Sequence, residues 1–202
     1  MAEGGRIVSE ERGSSMVEMI GVIGVLGVLA ASVWTLINSA RARFRLSQGV
    51  LQLQSLEKGV SRFYASAGNY DGLKNSNAIK ELIDNRIPPT GMATSENKLR
   101  HAFGGEVEIA NVPYANEEEY GSSSDSFTIT FKGLNKSQCR EMASIVWMQS
   151  DAVSLVSIKV GDTKYVWPNY AGNGDSKVLP VDAGEAMTAC ADAPKDITWE
   201  FR

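Results

Sequence analysis

From Met16 to Ile37 the sequence reads "MVEMIGVIGVLGVLAASVWTLI", and Glu18 is its one charge. A helix of about 20 apolar residues crosses the hydrocarbon core of a bilayer. This stretch therefore constrains the chain more than any other, because a helix that is apolar all round must be covered by lipid or by other helices. The preceding "MAEGGRIVSEERG" mixes Arg6 and Arg12 with Glu3, Glu10 and Glu11, and the apolar run continues into a further helical pattern. A cleaved secretory signal has a positive start, a shorter apolar region and a small-residue cleavage site after it, so the segment reads as a retained anchor. Gly21, Gly24 and Gly27, followed by Ala30 and Ala31, put small residues on one broad side, where a second helix backbone can approach closely. The same glycines weaken the helix and let it unwind on leaving lipid. Glycine is also common in membrane helices generally, and composition alone does not separate these readings.

After Asn38 the pattern changes without stopping. Leu46, Val50, Leu53, Leu56, Val60 and Phe63 recur at steps of three and four and form one apolar stripe, with Arg45, Gln48, Gln52, Ser55 and Arg62 between them. An unbroken helix from Ser14 to Ala67 would be roughly 80 Å long at 1.5 Å per residue. Its first half would be lipid-facing and its second half packed on a soluble domain. "AGNYDG", Ala67 to Gly72, is its stop.

Asn77 to Pro89 reads as a short helix ended by two prolines, with Ile79, Leu82 and Ile83 inward. Val107 and Ile109, then Phe127, Ile129 and Phe131, alternate as in half-buried strands. "NKSQCREMASIVWMQS" returns to helical spacing, with Cys139, Met142, Ile145 or Val146, and Gln149 near one face; "VSLVSIKV" and the terminal "DITWEF" are two more strands. The order predicts an α+β fold with an antiparallel sheet laid on the long helix. "YVWPNYAGNGDSKVLPVDAGEA" has many turn residues and little periodicity.

The 202 residues allow one domain with a core plus an accessory element, and the net charge of -4 gives no general attraction to nucleic acid. The one basic cluster, Arg41, Arg43 and Arg45, follows the apolar run. Cys139 and Cys190 lack the close spacing of a zinc or redox pair. A single disulfide in an exported domain is the simpler reading and two buried free thiols the alternative. A bridge would close a loop of about 50 residues, worth about 4 kcal/mol in the chain-entropy model. His101 is the lone histidine, which excludes a multi-histidine metal site, and beside Arg100 it reads as a surface or strand-start residue. "NGDS" at Asn173 to Ser176 and Asp182 do not have calcium-loop spacing, and Glu117, Glu118 and Glu119 read as an exposed loop. No phosphate loop or nucleophile arrangement is present in the sequence, which argues against an enzyme, a cofactor or a metal.

A charged leader ending in Gly13, an apolar helix with a glutamate near its start, an amphipathic continuation and two cysteines in the head together resemble the type IV pilin family. Prepilin peptidases of that family cut after a glycine and need glutamate at the fifth position of the product. Gly13 followed by Ser14, Ser15, Met16, Val17 and Glu18 has that spacing. "FTITFKGLNKSQC", Phe127 to Cys139, is similar to the strand and helix carrying the first disulfide cysteine in the class b branch, with Cys190 as the second. That branch includes the toxin-coregulated pilin and the thin-pilus pilins of conjugative plasmids. "FYASAGNY", Phe63 to Tyr70, resembles the family's exit from the long helix. Ser14 stands where the family commonly has a large apolar residue, and the leader is shorter than is usual for class b.

The resemblance implies a leader over 1–13, a transmembrane or filament-core half over 14–38, an amphipathic half over 39–67 and a globular head over 68–202. It implies cleavage between Gly13 and Ser14, assembly with other copies of the chain through Glu18, close helix packing at Gly21, Gly24 and Gly27, and a Cys139 to Cys190 disulfide. The implied partners are membrane lipid before assembly, the prepilin peptidase and the inner-membrane pilus machinery. The implied destination is an extracellular filament for adhesion, aggregation or conjugation. Arg41, Arg43 and Arg45 would by the positive-inside tendency keep the head in the cytoplasm; the cysteines and the resemblance place it outside. A minor pilin or secretion pseudopilin, and an uncleaved membrane-anchored binding or sensor domain, are the alternatives.

Overall fold

The computed structural model describes residues 16–112, 125–145, 155–167 and 176–202, with Val17 and Glu18 described by their backbone alone. Gly13, Ser14, the acidic run Glu117 to Glu119, Val146, Gln149 and Asn173 to Asp175 lie outside these residues. The chain falls into two compact units, one ending at Arg43 and one from Phe44 to Arg202.

Helix α1 runs without a break from Met16 to Tyr64. Its end falls three residues short of the expected Ala67 because the chain turns there: the amides of Ala67 and Gly68 both donate to the Tyr64 carbonyl. Gly68 takes φ 68°, a left-handed conformation that glycine adopts without steric cost. The predicted stripe is the buried face of the second half: Leu53, Leu56 and Val60 are fully buried, and Leu46, Val50 and Phe63 pack against the same core.

The chain then makes a 3-10 turn, Asp71–Lys74, and helix α2, Ala78–Asp84. Two prolines were expected to end α2, yet it ends four residues before Pro88. Arg86 N–H donates to the Ile83 carbonyl and Ile87 N–H to the Leu82 carbonyl, which closes the helix in a Schellman motif. Arg86 holds the left-handed position at φ 57°, a place usually given to glycine.

Among the described residues seven strands form one sheet: β1 Leu99–Arg100, β2 Glu106–Val112, β3 Ser126–Leu134, β4 Leu155–Val160, β5 Thr163–Val166, β6 Lys177–Val178 and β7 Lys195–Phe201. Their order is β1-β2-β3-β7-β4-β5-β6, antiparallel throughout except for the short β5–β6 pair. The C-terminal strand is thus central. Its inward residues face those of β3 directly, Phe127 opposite Phe201, Ile129 opposite Trp199 and Phe131 opposite Ile197. All six are at most 1% exposed. On the other face Thr130 and Thr198 hydroxyls pair at 2.9 Å, and Ser157 donates to Glu200 at 2.6 Å. That alternation is the period-2 pattern of a sheet covered on one side.

Helix α3, Lys136–Ala143, and helix α4, Ala183–Ala189, pack on each other. Asn135 and Gln138 cap α3 reciprocally: the Asn135 side chain accepts from the Gln138 amide at 3.0 Å, and Gln138 Oε1 accepts from the Asn135 amide at 3.0 Å. Asp182 caps α4 by accepting from the Glu185 amide at 2.9 Å. The part of the sequence with little periodicity therefore contains the end of β5, all of β6 and the start of α4, elements whose short lengths leave few repeats to read.

His101 is neither on the surface nor at a strand start: it follows the end of β1, in the turn to β2, and is buried, at 4% exposed. Its ring stacks on Phe131 with centroids 4.8 Å apart and meets Phe103 edge-on. The Lys132 carbonyl can only accept, so His101 Nε2–H donates to it at 2.9 Å, and Nδ1 is left to accept from the Phe103 amide at 3.2 Å. The hairpin turn that follows grips α1. Phe103 lies over Gly49, where a Cβ would sit 3.0 Å from the ring, and the Ala102 amide donates to Gln52 Oε1 at 2.7 Å. Gly105 completes this turn because a Cβ there would overlap the Lys132 carbonyl oxygen.

Burial holds the His101 pKa below its ordinary 6.5, with the Lys132 hydrogen bond acting in the opposite direction. Its contribution to stability is therefore complete above about pH 6.5 and is lost as pH falls below that value, where the unfolded chain takes up the proton first. Protonation would also turn Nδ1 into a donor aimed at the Phe103 amide. Urea midpoints of the native protein should decline from pH 7.5 to pH 5, and the decline should be smaller in His101→Gln. Equal declines in the two proteins would remove His101 as the cause.

Candidate functional site

The first part of α1 has no covering in the chain itself. From Met19 to Ile37 every residue is exposed, including Ile20, Ile23, Val28, Leu29 and Leu36. The apolar window within this helix has a mean hydropathy of 2.3 and none of it is buried, so the helix is long and apolar enough to cross a membrane. Its few hydroxyls are satisfied within the helix. Ser32 donates to the Val28 carbonyl at 2.9 Å, Thr35 to Ser32 at 2.8 Å and Ser39 to Thr35 at 3.0 Å. A hydroxyl bonded this way adds little polar surface to a lipid-facing helix.

Gly21, Gly24 and Gly27 are open: beyond their immediate chain neighbours and the helix's own backbone, no described atom lies within 4 Å of the position a Cβ would take at any of them. Being three residues apart, they lie along one broad side. Glu18 is in the first turn of α1. Apolar exposure continues past the membrane-length part, with Phe44 63% and Leu51 58% exposed. These two are seven residues apart, so they share a face of the helix, and they stand outside the buried stripe. No local pattern marks them in the sequence, where Phe44 stands between Arg43 and Arg45 and Leu51 between Val50 and Gln52.

In the head the structure joins the two cysteines. Cys139 on α3 and Cys190 at the C-cap of α4 form a disulfide with Cα atoms 5.8 Å apart, and both are fully buried. Among the described residues no three His, Cys, Asp or Glu side chains gather as a metal site would require. Both nitrogens of His101 are engaged by backbone groups.

The sequence model of the Bundlin family matches residues 38–202, which covers the head and the buried half of α1. The chain belongs to the Bundlin family. Over 183 residues it is 26% identical to the toxin coregulated pilin of Vibrio cholerae serotype O1, covering 91% of this chain and 71% of that one. Two solved structures share the fold. The type IV pilin TcpA from the El Tor biotype of Vibrio cholerae aligns with a TM-score of 0.50 at 17% identity, over 78% of this chain and 99% of that one. The type IV b pilin from Salmonella typhi aligns with a TM-score of 0.50 at 17% identity, over 76% and 97%. As a Bundlin-family member the chain is a type IV pilin of the class b branch, with the expected long helix, antiparallel-rich sheet and disulfide.

Proposed function

We propose that this Bundlin-family chain is the major structural subunit of a type IV filament, made as a membrane-anchored precursor and cut between Gly13 and Ser14. The observation that carries this reading is the apolar helix left bare on a chain whose head is closed around its own core. Fully burying one such side chain is worth about 1.5 to 3 kcal/mol. The exposed set from Met19 to Ile37 thus stands for on the order of 20 kcal/mol or more that water does not provide. Lipid satisfies that surface before assembly, and a bundle of identical helices satisfies it again inside a filament. Gly21, Gly24 and Gly27 let neighbouring backbones approach, and Phe44 and Leu51 extend the same apolar contact toward the heads.

Glu18 is then the fifth residue of the mature chain. In the bundle its carboxylate pairs with the new amino group at Ser14 of a neighbouring subunit and sets the axial register. The precursor lies in the inner membrane with the head on the far side and the leader in the cytoplasm, where the prepilin peptidase removes it before the pilus machinery acts on the anchored chain. The finished filament serves adhesion, aggregation or conjugation.

Mass spectrometry of the chain from sheared surface filaments should find Ser14 as the first residue. Any other terminus, or an intact leader in cells that contain the peptidase, contradicts cleavage at Gly13. If the chain is a trace component of the sheared material, it is a minor subunit instead.

A further inference from the structure

Resting on the membrane-anchored reading, we propose that Arg41 and Arg43 form a phosphate-binding collar that seats the helix against anionic phospholipid headgroups. From Met19 to Ile37 the helix is bare and apolar, about 28 Å at 1.5 Å per residue, which matches a hydrocarbon core of about 30 Å. The headgroup layer adds about 5 to 8 Å on each side. Arg41 and Arg43 follow Ile37 by roughly 6 and 9 Å along the axis, which puts both guanidinium groups within reach of the phosphates. Trp34, 64% exposed and one turn inside Ile37, is the kind of amphipathic ring that settles at this boundary.

The two arginines are two residues apart, about 200° around the helix, so they reach phosphates on opposite sides. Both are exposed, and the ion pairs among the described residues all lie elsewhere. No local acid competes for them either, since the sequence has no aspartate or glutamate between Glu18 and Glu57. A guanidinium offers two parallel N–H donors to a phosphate, and its alkyl stem can lie along apolar surface while the head stays polar. A free phosphate ion would find only a convex helix surface with no enclosing walls. Phosphates held by the bilayer at this depth are concentrated where the arginines are.

The test uses the detergent-solubilised full chain and native mass spectrometry of bound lipid, titrating phosphatidylglycerol and phosphatidylcholine separately. At about 1 kcal/mol per arginine near an anionic surface, the preference for phosphatidylglycerol should be roughly thirtyfold. It should fall nearly to unity in Arg41→Gln/Arg43→Gln, with Arg45 kept. Equal retention of the two lipids by the native chain, or an unchanged preference in the double variant, overturns the collar. Displacement of phosphatidylglycerol by millimolar inorganic phosphate also overturns it, since the arginines would then be a general anion site. Vesicle flotation separates this failure from that of the parent reading. A chain that floats with vesicles yet shows no lipid preference refutes the collar alone, whereas one that does not float refutes the anchor.

Discussion

Glu18→Ala should abolish surface filaments while the chain still accumulates in the membrane. In the proposed bundle the variant leaves the Ser14 amino group of each neighbour without its counter-charge in a dry environment. Breaking such a pair by removing one partner costs about 3 to 5 kcal/mol, a hundredfold or more in each addition step. Insertion responds the other way, because a carboxylate within the apolar run is itself unfavourable by up to about 2.5 to 3.5 kcal/mol at the membrane centre and less near its edge. Filament yield in sheared fractions and membrane content by immunoblot separate the two effects. Filaments at native yield from Glu18→Ala would remove Glu18 from assembly. Glu18→Gln sharpens the result, since it keeps the shape and one acceptor but not the charge; if charge pairing is the cause, it should fail nearly as badly as alanine.

Removing the disulfide should be the largest single loss of stability in the head. Cys139 and Cys190 are separated by 51 positions, and the bridge ties α3 to the end of α4. Releasing a loop of that size costs about 4 kcal/mol in the chain-entropy model, or roughly 8 to 16 °C in Tm for a domain of this size. The enclosed part is unevenly held. β4 is anchored to β7 by a ladder from Leu155 to Val160, whereas β6 pairs through two residues and α4 has a single buried residue, Ala186. In Cys139→Ser/Cys190→Ser, limited proteolysis should first cut between β5 and α4, ahead of any cut in β3 or β7. A Tm within 3 °C of the native protein, or first cuts in the central strands, would contradict this account.

The long helix was legible because its two halves carry different and strong patterns. An all-apolar run is followed by a stripe with period 3.6, and tertiary packing used that stripe as Leu53, Leu56 and Val60 present it. The strands β2, β3 and β7 were legible for the same reason, since each alternates over five or six residues. The capping box at Asn135 and Gln138 was there to be read and passes for an ordinary polar stretch only when the three-residue spacing is overlooked. β1 and β6, two residues each, could not be read, because so short a strand has no period. His101 departs from the surface or strand-start position expected of it, since its neighbours Arg100 and Ala102 carry no sign of a buried turn. Its burial comes from Phe131, more than 25 residues away in sequence, and from the Lys132 carbonyl.

The sequence by itself determined the bare helix and the stripe that docks its second half, and it spaces Gly13, Ser14 and Glu18 as the proposed cleavage and assembly require. Those features depend on neighbours within a few residues, so local periodicity and spacing carry them. Tertiary structure alone decided that β7 lies at the centre of the sheet, between β3 and β4. It also decided that the hairpin turn at Ala102 and Phe103 grips α1 through Gln52 and Gly49, and that the distant cysteines meet. Each of these depends on which apolar surfaces find one another across the whole chain. Pairing of that kind follows from the total area buried and the hydrogen bonds satisfied, neither of which any single segment contains.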